Sequence, residues 1–151
     1  MSYFAYALRT LAGLILRRPI LGTCVIPVMD DGSIVLVLRR DNRRWSLPGG
    51  IVDWGEDIMT SATRELKEET GLEVSRLVRL VGLYSSPKRD PRFHSVCAGI
   101  AVYVEGTPYA ADSREILEVR AFPIDQLPWD NLAHDHVFHL KDFLNGDTVL
   151  A

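Results

Sequence analysis

The sequence predicts an α/β domain in which a mixed β-sheet carries helices on both faces. Strand-like apolar runs alternate with amphipathic helical stretches, an Asp30-Asp31-Gly32 turn joins the first two strands as a hairpin, and 151 residues suit a single core. Hydrophobic residues at 47% and charged residues at 25% are ordinary globular usage, which argues against a disordered, collagen-like or coiled-coil chain. The formal net charge of -3 lacks the basic excess of a protein held to nucleic acid by its overall field, so no nucleic-acid partner is expected.

The elements follow in order. In residues 1–18, Phe4, Leu8, Leu11 and Ile15 fall at helical spacing, with Arg9, Arg17 and Arg18 off that stripe. They are read as an amphipathic helix laid on the remaining domain, 19–151, rather than as an interfacial membrane helix or a homodimer contact. The charges lie in the wrong order for an export signal, and no stretch approaches the ~20 apolar residues that span a bilayer. A soluble, cytoplasmic chain without a membrane partner is therefore expected. Residues 22–29 and 33–39 are the first strands, and Pro27, which cannot donate a backbone hydrogen bond, marks an edge position or bulge. A basic loop leads to Trp45-Ser46-Leu47-Pro48-Gly49-Gly50, whose end cannot be regular helix. Residues 57–70 form a helix with Asp57 as N-cap and Gly71 as its left-handed stop. Strands are expected at 77–84, 95–105 and 118–122, and a closing helix at 131–144. Cys24 and Cys97 lie in apolar strands without a CxxC partner, so sequence spacing indicates neither a disulfide scaffold nor zinc, and they are read as buried thiols.

The chemistry concentrates on the first helix of the domain. Glu65, Glu68 and Glu69 stand at i, i+3 and i+4, so the three carboxylates share an arc of roughly 100°. Met59, Ala62 and Leu66 occupy the neighbouring arc and can bury it against the sheet, placing the acids at a cleft rim. Like charges at this spacing repel, and a divalent cation with phosphate oxygens as further ligands would offset that cost. Arg64, one turn before Glu68, can hold that carboxylate in position. Gly49 and Gly50 allow the backbone to approach a phosphate.

Reading outward gives Gly50, five residues, Glu56, seven residues, then Arg64-Glu65-Leu66-Lys67-Glu68-Glu69-Thr70-Gly71-Leu72. This resembles the Nudix box of the Nudix hydrolases at every fixed position, and seven such identities coincide with a chance on the order of 10⁻⁹. The resemblance implies an α/β/α sandwich and cleavage of the diphosphate in a nucleoside diphosphate linked to another group. It also implies Mg²⁺ or Mn²⁺ held by Glu65, Glu68, Glu69 and the Gly49 carbonyl, with Glu56 and Arg64 bracing loop and helix. For the general base, Glu115 is favoured over Glu118 because it precedes its strand, with Asp112 nearby and the box glutamates as the alternative.

Between two strands, Lys88, Arg89 and Arg92 sit on a turn-rich loop, and Arg suits phosphate because its planar fork binds oxygens in pairs. The Arg-Asp-Pro-Arg run resembles a stretch of Nudix enzymes acting on ADP-ribose. The expected substrate is therefore ADP-ribose or a related nucleoside-diphosphate sugar, a small-molecule nucleotide. The basic loop Arg39, Arg40, Arg43 and Arg44 would equally serve a nucleoside triphosphate or dinucleoside polyphosphate. The rival from another class is a non-catalytic nucleotide-sensing module. Of His134, His136 and His139, only the last two could converge, and a surface or core role is expected for all three. Trp45 is read as core rather than as a base-stacking platform.

Overall fold

The computed structural model describes residues 17–151, so the helix expected at 1–18 lies almost wholly outside the described residues. The strands are β1 (Ile20–Val28), β2 (Ile34–Arg39), β3 (Trp45–Ser46), β4 (Gly49–Ile51), β5 (Glu73–Tyr84), β6 (Ser95–Glu105), β7 (Ile116–Phe122) and β8 (Val149–Leu150). Among the described residues there are also two α-helices, α1 (Ile58–Thr70) and α2 (His136–Asn145), and two 3₁₀ turns. No described helix is long and apolar enough to cross a membrane.

The eight strands form one mixed sheet in the order β3-β2-β1-β6-β5-β8, with β4 added to β1 and β7 to β2. Period-two alternation along the strands builds two cores. Val25, Val35, Ile100 and Val102 pack beneath Ala62 and Leu66 of α1. Cys24, Ile26, Ile34, Leu36 and Cys97 face the opposite way, towards Leu132 and Leu140. The α/β/α sandwich follows directly, one helix to each face.

The expected hairpin forms only at its tip. Asp31 accepts from the Ser33 amide at 2.9 Å and Gly32 takes φ +83°, but β1 and β2 share just one pair, Val28↔Ile34. Beyond it the strands part. β1 runs parallel to β6 from Ile20↔Ser95 to Val28↔Tyr103, while its other edge receives β4 through Cys24↔Gly49 and Thr23↔Gly50. Pro27 is thus in an interior strand, not an edge strand. It falls between the β4 and β2 pairings, where the missing N–H costs no ladder bond.

Helix α1 starts and stops as its sequence requires: Asp57 Oδ1 accepts from the Thr60 amide at 2.7 Å, and Gly71 closes it at φ +71°. The last helix begins later than residue 131. Leu132 bridges Trp45 and the Ala133 amide donates to the Trp45 carbonyl at 2.7 Å, so these residues are drawn to the sheet. β5 starts earlier than residue 77 because three register shifts against β6 scramble its alternation. Trp45 is core, edge-on to Phe122 at 4.9 Å between ring centroids.

Replacing Asp57 with Ala should cost about 1 kcal/mol in urea unfolding, with Asp57→Asn close to neutral. Equal stability of Asp57→Ala and the parent chain would contradict the cap.

Candidate active site

The departure of β1 from β2 brings Gly49 and Gly50 onto β1 and directly under α1. A Cβ at Gly50 would run into the Glu65 carboxylate, and one at Gly49 into the Thr23 carbonyl. Gly49 is therefore required by neighbouring backbone, whatever a ligand adds, and Gly50 leaves the Glu65 carboxylate the place it holds.

Above it opens a cleft of about 640 Å³ lined by Gly49, Gly50, Glu65, Glu68 and Glu69, with Arg39, Arg89, Arg92, Arg114 and Glu115 around the walls. The three acids share the arc but differ in setting. Glu69 is 6% exposed and accepts from the Gly49 amide at 3.2 Å, so Gly49 meets this acid through its N–H. Burial pushes its pKa up to about 8, the Gly49 N–H opposes this, and the charges of Glu65 and Glu115 add to it. Glu65 is also raised, first by burial, against the pull of Arg64 at 2.8 Å. Glu68 is exposed and touches Arg64 only at 3.4 Å.

Arg64 lies behind the acids, outside the cleft lining. Its Nε and Nη2 form a fork on Glu56 at 2.8 and 2.9 Å, and this holds the Glu56 carboxyl below its ordinary value. Glu56 in turn accepts from the Asp53 amide at 3.2 Å, so loop and helix are tied together.

The expected phosphate clamps are distributed unevenly. Arg89 reaches the cleft, but its guanidinium is engaged by both Asp135 oxygens, at 2.9 and 3.0 Å, and by Ser95 Oγ. Arg92 also reaches it, forked on Asp90, whose carboxyl it draws down to about 2. Arg44 does not line the cleft. An Asn42-stabilised turn directs it away, and its Nη1 donates to the Leu132 carbonyl at 3.3 Å. Arg39 takes a place on the wall instead, paired with Asp41 at 3.0 Å. Glu115 lies on the wall, whereas Glu118 is in β7 and pairs with Arg120.

Sequence reasoning missed Asp53, Thr23 and Arg114 as lining residues, and it named Asp90 only as part of a basic run. The position of Asp53 just after β4 was the one available signal. His136 and His139 are buried as core residues, and His134 precedes the helix at φ +52° rather than lying within it.

Residues 18–144 match the family model for the NUDIX domain. The chain belongs to the Nudix family. An ADP-ribose pyrophosphatase of Methanocaldococcus jannaschii is 38% identical over 78% of this chain and 69% of its own length. A Bacillus subtilis protein provisionally named an 8-oxo-dGTP diphosphatase is 33% identical over 83% of this chain and 80% of its own. The NUDIX domain of Shewanella oneidensis NrtR, solved with ADP ribose, shares the fold at TM-score 0.78 and 19% identity, covering 97% of this chain and 99% of that one. As a Nudix hydrolase, the chain is an enzyme of pyrophosphate bonds.

Because the folded pKa of Glu69 stands near 8 against an ordinary 4.5, burial favours the neutral acid. Its stabilising contribution is complete below about pH 4.5 and is lost as pH rises through about 8, with a slope of at most roughly 1.4 kcal/mol per pH unit. In metal-free buffer the parent chain should therefore lose stability relative to Glu69→Gln as pH rises between those values. Parallel denaturation profiles for the two proteins would contradict this.

Proposed function

We propose that this cleft hydrolyses ADP-ribose or a closely related nucleoside-diphosphate sugar, with Mg²⁺ or Mn²⁺ as cofactor. The observation that carries the chemistry is the acidic arc. Glu65 and Glu69 are partly or largely withdrawn from water beside one another, and among the described residues the one cation touching the arc, Arg64, reaches Glu65 and Glu68 from behind. Hard oxygen donors lining one cleft, two of them raised in pKa by burial, fit a small divalent ion.

Glu65, Glu68 and Glu69 would hold that ion, with the Gly49 carbonyl as a further donor. When bound, it neutralises phosphate charge, orients the diphosphate and acidifies a water. Arg64 keeps Glu65 in place through its short contact, and its longer contact leaves Glu68 free to turn to the cleft. Gly50 leaves the space that the Glu65 carboxylate occupies. Glu115, close enough for its charge to act on Glu69, would accept the proton of the attacking water. Arg92 and Arg114, on the wall with exposed side chains, would turn spare N–H donors to phosphate oxygens. Arg89 would act indirectly, by fixing the loop that carries Arg92.

The substrate preference is supported by the 38% identity to the archaeal ADP-ribose pyrophosphatase and by Arg89, Asp90 and Arg92 standing on the cleft wall. The Bacillus relative supports the competing triphosphate reading. A panel of ADP-ribose, NADH, dinucleoside polyphosphates and ordinary and oxidised nucleoside triphosphates should rank ADP-ribose first in kcat/KM. Its ranking last would overturn the assignment.

Glu68→Gln should lose several orders of magnitude in turnover with an unchanged circular dichroism spectrum. Near-normal turnover would remove Glu68 from the site. Glu115→Gln should lose about 10²–10⁴-fold in kcat, the usual share of a general base. Full activity in that variant would return the role to a box glutamate.

A further inference from the structure

At the floor of the same cleft, away from the acidic arc, the tertiary structure brings two lining thiols, Cys24 and Cys97, against the fully buried imidazole of His139, three donors far apart in sequence. The Cys24 and Cys97 sulfurs lie 3.0 Å apart, and with a nitrogen of His139 all three donor atoms fall within 4.8 Å of one another. All three residues are buried, His139 completely. Sequence spacing hides this because the donors come from β1, β6 and α2.

The decisive observation is an orphan. Among the described residues, His139 Nδ1 is buried without a hydrogen-bond partner, while its Nε2 faces Asp135 Oδ2 at 3.4 Å. A buried nitrogen left unpaired is costly, and an imidazole that gives its other N–H to a carboxylate is in the arrangement typical of metal-bound histidine. The Asp135 carboxylate is itself fixed by the Arg89 fork, and Tyr84 stacks on the His139 ring at 3.5 Å between centroids. The ring can therefore turn little.

Space has been left for this group. In the parallel register Cys24 stands opposite Gly99 and Cys97 opposite Gly22, and a Cβ at Gly99 would lie 3.2 Å from His139 Nδ1. His136 accepts the Leu47 amide at Nδ1, which assigns the proton to Nε2, and Nε2 lies 3.5 Å from the Cys24 sulfur. It is placed to donate to that sulfur, as second-sphere groups do to a bound thiolate.

We propose that Cys24, Cys97 and His139 Nδ1 form a second metal site, selective for Zn²⁺ over Mg²⁺. Thiolate and imidazole donors favour zinc, whereas the oxygen-only arc favours magnesium. Zn–S near 2.3 Å and Zn–N near 2.0 Å require modest opening of the sulfur pair and closing of the imidazole. Binding releases the two thiol protons to solvent, and two thiolates with one Zn²⁺ sum to zero charge beside the neutral Arg89–Asp135 pair. Both cysteines line the cleft, so the fourth position faces it and is open to an exchangeable ligand.

The test uses the full chain, fully reduced, with Mg²⁺ in large excess to satisfy the carboxylates. Titrated Co²⁺ should bind at one equivalent with a thiolate-to-cobalt charge-transfer band in the near ultraviolet and strong tetrahedral d–d bands. One equivalent of Zn²⁺ should bleach them. Cys24→Ser and Cys97→Ser should each weaken the charge-transfer band, the double variant should abolish it, and His139→Gln should weaken binding at least tenfold. Glu68→Gln should leave every band unchanged, which separates this site from the acidic one. Absence of charge transfer in the reduced parent chain, its survival in the double variant, or a Cys24–Cys97 disulfide resistant to reductant would each overturn the proposal. X-ray absorption at the zinc edge of the parent chain needs no variant: two sulfur scatterers and an imidazole are expected, and an oxygen-only shell would overturn it.

Discussion

Arg64 is the joint on which the acidic arc depends. One guanidinium forks on Glu56 and also touches Glu65 and Glu68, so it links the loop after β4 to the helix that carries the acids. That loop has little core of its own, since Trp54 is wholly exposed. Its shape rests on the ion pair and on the Asp53 amide bonded to Glu56. A charge-assisted, two-pronged bond is well suited to this, being stronger and more directional than a neutral one.

The second constraint is the double use of β1. Its full length is committed to β6, and its outer edge is given to the glycine-rich strand instead of the hairpin mate. This choice sets Gly49 against Glu69 on one side of the sheet and leaves Cys24 and Cys97 pointing to the other core. A strand that kept its hairpin partner would have no edge left for the glycines, and the cleft would lose its floor.

Much of this was legible in the residues. The layered α/β/α architecture, both ends of α1 and the placing of Glu65, Glu68 and Glu69 along one cleft rest on periodicity and local capping, which act within a few residues. What was not legible depends on distant partners. The single β1–β2 pair, the late start of α2 caused by Trp45, and the two-residue β8 all arise from pairing across the chain. The arginines show the same limit: composition marked Arg44 and Arg89 as phosphate clamps, yet Arg44 turns to the Leu132 carbonyl and Arg89 is absorbed by Asp135. Glu115 and Glu118 were separable because one precedes the strand and the other lies within it.

Each arginine on the cleft wall already has a carboxylate neighbour: Arg39 with Asp41, Arg89 with Asp135, Arg92 with Asp90 and Arg114 with Asp112. In a chain whose net charge is -3, such a wall presents paired charges, not bare cations, to an approaching polyanion. Capture must then proceed at close range, through the N–H donors these carboxylates leave spare. Discrimination between ligands then falls to the shape of the contact, not to attraction at a distance.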